Sequence, residues 1–126
     1  MLPSDWEGAI HLIVQGEAVP KQSYITRFGR PNLSERLKVW QDLIRWKAKE
    51  RMAGNPPLDG PLELSITFLR KIHRRADWDN LSKGVCDSLN HVFWKDDSQI
   101  KRALVEVRET EKNPMVEIAV RLIPHA

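Results

Sequence analysis

In residues 62–69, LELSITFL, apolar and polar side chains alternate as far as Phe68. Leu62, Leu64, Ile66 and Phe68 fall on one side and Glu63, Ser65 and Thr67 on the other, which predicts a half-buried β-strand. Such a strand cannot stand alone. Its backbone donors and acceptors need neighbouring strands, and its apolar side needs a covering layer. The rest of the chain must therefore supply both.

A covering layer is legible. Leu33, Leu37, Trp40, Ile44 and Ala48 recur at spacings of three and four, one apolar stripe on a helix that Asn32 or Ser34 can cap and that runs to about Met52. A second helix is expected from Asp79 to about His91, with Leu81, Val85, Leu89 and Val92 as its core stripe. Partner strands are expected at Ala9–Val14, Ile100–Arg108 and Met115–Ile123, the last with Val116, Ile118, Val120 and Leu122 inward. The polar ETEKNP between the last two suits a hairpin turn, and AGNPPLDGP breaks the chain before residue 62. QGEAVPKQSYITRFGRPN reads as a loop with a short hairpin at Tyr24–Arg27. The order strand, helix, strand, helix, strand, strand predicts an α+β fold: a small mixed β-sheet with two helices packed on it, one compact domain over residues 1–126.

Composition narrows the class. The 126 residues are 41% hydrophobic and 29% charged, a globular balance with room for a core. No apolar run approaches the roughly 18 residues that span a bilayer. The opening MLPSDWEG has no basic stretch followed by an apolar one, so a cytoplasmic address without membrane contact is expected. The single cysteine, Cys86, rules out an intramolecular disulfide and suits a reducing compartment. The five tryptophans read as core and interface anchors. There is no glycine-rich phosphate loop of the nucleotide-hydrolysing kind.

The formal charge of +3 says little about partners; its distribution says more. RKIHRR, residues 70–75, places Arg70, Lys71, His73, Arg74 and Arg75 directly before DWDNLSKGVCDSLNHVFWKDDSQI, which holds five aspartates and no glutamate. Short carboxylates beside a basic run suit a hard cation held against a phosphate, since Mg²⁺ takes oxygen ligands at about 2.0–2.1 Å. The basic residues are the candidate DNA-phosphate contacts, giving salt-sensitive and sequence-independent affinity. His73 and His91 read as surface or phosphate contacts rather than metal ligands, because an oxygen-rich set favours a hard ion.

Each acid also has a purely structural reading. Asp79 before Asn80 is a good N-cap, and Asp96–Asp97 alone is a common turn pair. Neither accounts for Asp77. Lys83 stands one turn after Asp79 on the face opposite the core stripe, with Cys86 and Asn90. That is either an i,i+4 pair worth about 0.2–0.5 kcal/mol or an ammonium set beside a metal-bound phosphate.

Asp77, Asp79, Asn80, Lys83, Asp87, Leu89, Trp94, Asp96 and Asp97, continuing into Ser98-Gln99-Ile100, resemble the hallmark of the RusA family of Holliday junction resolvases. GEAVPKQ is similar to that family's early Gly-x-Pro-Val-Pro-Lys region, with Ala18 where proline is frequent. Ala76 departs from the family by interrupting the basic run just before the first acid. The resemblance implies a homodimeric, Mg²⁺- or Mn²⁺-dependent endodeoxyribonuclease that resolves four-way DNA junctions by paired symmetric nicks. It implies Asp77, Asp79 and Asp97 as metal-binding catalytic acids and Lys83 as the catalytic lysine. Two other readings compete: a metal nuclease acting on other branched DNA, and a DNA-binding module whose aspartates only cap and turn.

Overall fold

The computed structural model describes residues 6, 8–21, 32–71 and 76–124. The hairpin expected at Tyr24–Arg27 and the residues His73, Arg74 and Arg75 lie outside the described residues, as does the side chain of Leu33. In chain order the elements are β1 (Ile10–Gln15), α1 (Asn32–Met52), β2 (Leu62–Arg70), α2 (Trp78–Leu89), a short 3-10 turn (Asp97–Gln99), β3 (Ile100–Glu109) and β4 (Met115–Leu122). The four strands form one mixed sheet in the order β1-β4-β2-β3, with the expected α+β architecture.

The apolar stripes meet as their spacing requires. Trp40, Ile44 and Ala48 of α1 and Leu81, Val85 and Leu89 of α2 share one buried cluster with Leu12 and Val14, with Leu64, Ile66 and Phe68, and with Val116, Ile118 and Val120. Both helices therefore cover the same face of the sheet, and fully burying each such side chain contributes roughly 1.5–3 kcal/mol. Among the described residues no helix is long and apolar enough to cross a membrane.

Three expectations are corrected. The strands at the C-terminal end do not form a hairpin: β2 lies between them, antiparallel to β4 and parallel to β3. The ETEKNP link arches past the end of β2, where the Thr110 N–H donates to the Arg70 carbonyl. With β2 between them, both its backbone edges are satisfied. Consequently β2 is not half-buried. Glu63, Ser65 and Thr67 are buried as well, because the strands on either side bring Arg102 and Arg121 directly opposite Glu63. Both arginines pair with that carboxylate, and Trp6 stacks on the Arg121 guanidinium at 4.9 Å. Finally, Leu122 is exposed rather than inward, since it sits at the end of the sheet opposite Leu62.

Candidate active site

The strand order brings two loops together. β1 and β2 both end beside Met115, the first residue of β4. Just past β1, Glu17 pairs with Arg70 at 3.5 Å and accepts the Lys71 N–H at 3.2 Å. Arg70, read from sequence as a phosphate contact, is thus buried with its guanidinium turned towards Glu17. Lys71, next to it, is exposed.

The GEAVPK segment then runs onto α2. The Lys21 N–H donates to the Asn80 carbonyl at 2.9 Å, and the Lys21 ammonium pairs with Asp87. Gly84 is where the segment crosses the helix: a β-carbon there would lie 3.5 Å from the Val19 carbonyl and from Leu37. Asp87 is thereby a structural latch. Sequence reasoning gave Lys21 and Glu17 no role, because their partners lie 66 and 53–54 positions away. The GEAVPK pattern was their one local signal.

α2 begins at Trp78, one residue before the expected start at Asp79, and its N-cap residue is Asp77 in place of Asp79. The Asp77 side chain makes no capping hydrogen bond and is exposed. Asp79 lies in the first turn, its Oδ1 accepting the Asn80 N–H at 2.9 Å. Its Oδ2 stands 3.9 Å from the Lys83 ammonium, and both groups are half-exposed. Two carboxylates and an ammonium thus open to solvent together at the helix N-terminus, where the helix dipole favours negative charge.

At the other end of α2, His91 adopts a left-handed backbone (φ 69°) and its N–H closes a turn onto the Trp94 carbonyl at 2.7 Å. That turn buries Phe93 and Trp94 and presents the two following acids differently. Asp96 caps the 3-10 turn: it accepts the Ser98 N–H at 2.9 Å, while Gln99 accepts the Asp96 N–H at 2.9 Å. Hydrogen bonding from the Ser98 side chain, and then from the Ser98 N–H, holds the Asp96 carboxyl below the usual carboxylate range. Asp97 is half-buried and accepts the Trp94 indole N–H at 2.7 Å.

Cys86 links the two ends. Burial, then the charges of Asp97 and Asp87, push its thiol up to about 12, so it stands as a neutral thiol at neutral pH. Asp97 therefore bears electrostatically on the middle of the helix face that begins with Asp79 and Lys83. Among the described residues, however, no three His, Cys, Asp or Glu side chains are gathered where one ion could be held. Asp79 and Lys83 face each other at 3.9 Å, Asp77 precedes them at the N-cap of the same helix, and Asp97 lies in the 3-10 turn that follows it. The donor set is all oxygen, and in chemistry it fits a hard divalent cation at Asp77 and Asp79. A shallow concavity of about 230 Å³ between Lys49, Met52 and His91 contains none of these acids.

The sequence profile of the endodeoxyribonuclease RusA family matches residues 16–121. The chain belongs to the RusA family. The match begins at Gly16, so it takes in the GEAVPK segment and its latch on α2 as well as every acid discussed. RusA proteins are, as a family, endodeoxyribonucleases that resolve Holliday junctions. The chain is also similar to an uncharacterised protein, YqaN, of Bacillus subtilis strain 168, 45% identical over 47 residues. That stretch is 37% of this chain and 32% of the length of YqaN.

Proposed function

We propose that this RusA-family chain is a divalent-metal-dependent endodeoxyribonuclease that cuts four-way DNA junctions by paired symmetric nicks, acting as a cytoplasmic homodimer. The carrying observation is the solvent-facing start of α2, where Asp77 is released from capping beside Asp79 and Lys83 stands one turn further on. Asp77 and Asp79 would hold Mg²⁺ or Mn²⁺, with Asp97 as the third acid of the site. Bound there, the ion supplies an activated water and neutralises the scissile phosphate.

The chain's own groups do the rest. Lys83, one turn from Asp79, presents its ammonium to the developing charge on phosphate. Lys71, His73, Arg74 and Arg75 grip neighbouring phosphates as the DNA enters. Arg70 serves that grip indirectly, holding the start of the basic run against Glu17. Trp94 keeps the Asp97 carboxylate in one orientation.

One observation favours the reading in which the aspartates only cap: Asp96 does cap a helical turn. The two readings separate in a single assay, cleavage of a synthetic four-way junction and of plain duplex, with and without Mn²⁺. The proposal expects metal-dependent cuts in the junction alone. Tight junction binding with no cleavage would leave a binding module, and cuts in flaps, forks or duplex would leave a nuclease of other specificity.

A further inference from the structure

The sheet has two edges of different character. At one, the His11 carbonyl of β1 accepts the Arg51 Nε–H at 3.1 Å, so the end of α1 covers that strand. At the other lies β3, longer, free of proline and glycine, with Ala103, Leu104 and Val107 exposed along it. A long edge strand carries a row of backbone groups that another strand can satisfy. Scattered charges also line it: Lys101, Arg102, Glu106, Arg108 and Glu109.

We propose that β3 pairs antiparallel with β3 of a second copy, with Leu104 on the twofold axis. This deepens the two-copy reading above and rests on it. The register follows from charge. Antiparallel pairing about a twofold keeps each side chain on its own face of the joint sheet, so even positions face even and odd face odd. With Leu104 opposite Leu104, Arg102 of each copy stands opposite Glu106 of the other, and Ala103 opposite Val105. Moving the axis to Val105 sets Arg102 against Arg108, and moving it to Glu106 sets that carboxylate against itself. Like charges directly opposite destabilise a ladder, whereas opposite charges and apolar pairs each contribute about 0.2–1 kcal/mol. An axis at Val107 also sets Glu106 against Arg108, but it pairs only residues 105–109 of the strand, whereas the Leu104 axis pairs residues 100–108 and adds the apolar Ala103–Val105 contacts.

The consequence reaches the candidate active site. A twofold axis perpendicular to the sheet leaves the helical layers of both copies on one side. α2 connects β2 to β3 and packs against β3, so the two α2 helices flank the axis. Both sets of Asp77, Asp79 and Lys83 then address the same side of the dimer, as paired nicking of one junction requires.

The test is sedimentation equilibrium of the full chain at micromolar concentration, without DNA or metal. The wild type is expected to be dimeric. Leu104→Asp is expected to raise the dissociation constant by ~100-fold or more, since two carboxylates would be buried face to face. Glu106→Lys is expected to weaken the dimer by setting a lysine against Arg102. Val39→Asp, on the exposed side of α1, is expected to dimerise as the wild type does. Leu104 is half-exposed, so the Leu104→Asp monomer should melt as one cooperative unit, checked by circular dichroism. A dimeric wild type with an equally tight Leu104→Asp dimer overturns the β3 interface and leaves the two-copy reading standing. A monomeric wild type overturns both, while junction cleavage by the same preparation tests the nuclease reading separately.

Discussion

The indole N–H of Trp94 donates to Oδ1 of Asp97 at 2.7 Å, from a tryptophan with no exposed surface. A buried ring has one orientation, so its hydrogen bond fixes a carboxylate that would otherwise rotate. Trp94→Phe keeps most of the packing and removes the donor. It is expected to lower unfolding free energy by about 1.5–3 kcal/mol, the range for hydrogen bonds to charged groups. Junction cleavage should fall more than binding does. Urea unfolding and single-turnover cleavage measure the two effects, and an unchanged cleavage rate would remove Asp97 from the site.

Asp77 and Asp79 are expected to separate activity from stability. Since Asp77 makes no capping hydrogen bond, Asp77→Asn should leave stability within about 0.5 kcal/mol of wild type. A true cap would cost about 0.5–2 kcal/mol on removal. Asp79→Asn should abolish metal-dependent cleavage while junction binding is retained or tightened, because a negative charge facing phosphate has gone. Normal cutting by the Asp79→Asn variant would sink the metal assignment.

Asp96 should report on pH in place of catalysis. Its carboxyl is held low in the folded protein by its hydrogen bonds to Ser98. A folded-state pKa below the unfolded one contributes stability that is present above the ordinary carboxylate range and lost as pH falls through the lowered value. Asp96→Ala should therefore be less stable than wild type at neutral pH, with the difference closing in acid. Denaturation midpoints across a pH series give the comparison, and a gap that widened in acid would contradict the cap.

The latch between Lys21 and Asp87 spans half-exposed groups, so its direct contribution is about 1 kcal/mol or less. Lys21→Met and Asp87→Asn should each cost little stability, and their double-mutant cycle should show coupling of that size. An additive cycle would mean the contact is not made in solution.

Cys86 should be inert. With its thiol raised to about 12, it is expected to resist alkylation at pH 8 until the chain unfolds. The sign is opposite to that of Asp96: the folded state favours the neutral thiol, so stability falls as pH rises through the ordinary thiol range. Rapid labelling of the native protein would show that the α2 face is open at Cys86.

Much of this architecture is legible locally. The spacing of Trp40, Ile44 and Ala48, the alternation of Leu62 to Phe68 and the stripe Leu81, Val85, Leu89 all arise within a few residues of chain. They can be read from sequence because helix and strand periods are local properties. The acids are legible too, as a motif, because Asp77, Asp79, Lys83 and Asp97 occupy 21 consecutive positions. The motif could not say that Asp96 would cap while Asp97 would take the Trp94 indole. Two adjacent aspartates look alike until a turn aims them differently.

What the sequence by itself determined, then, is which segments are helix or strand, which faces are apolar, and which residues make up the motif. Only the tertiary structure decided that β2 would stand between β4 and β3, because strand order depends on pairings far apart in the chain that no local period encodes. That one arrangement buried Glu63 beneath two arginines, turned Arg70 inward to Glu17 and carried Lys21 onto Asp87. It also left β3 at the edge. Each of these is a meeting of distant residues, and the physical reason is the same: satisfying both backbone edges of β2 fixed which segments came to lie beside one another.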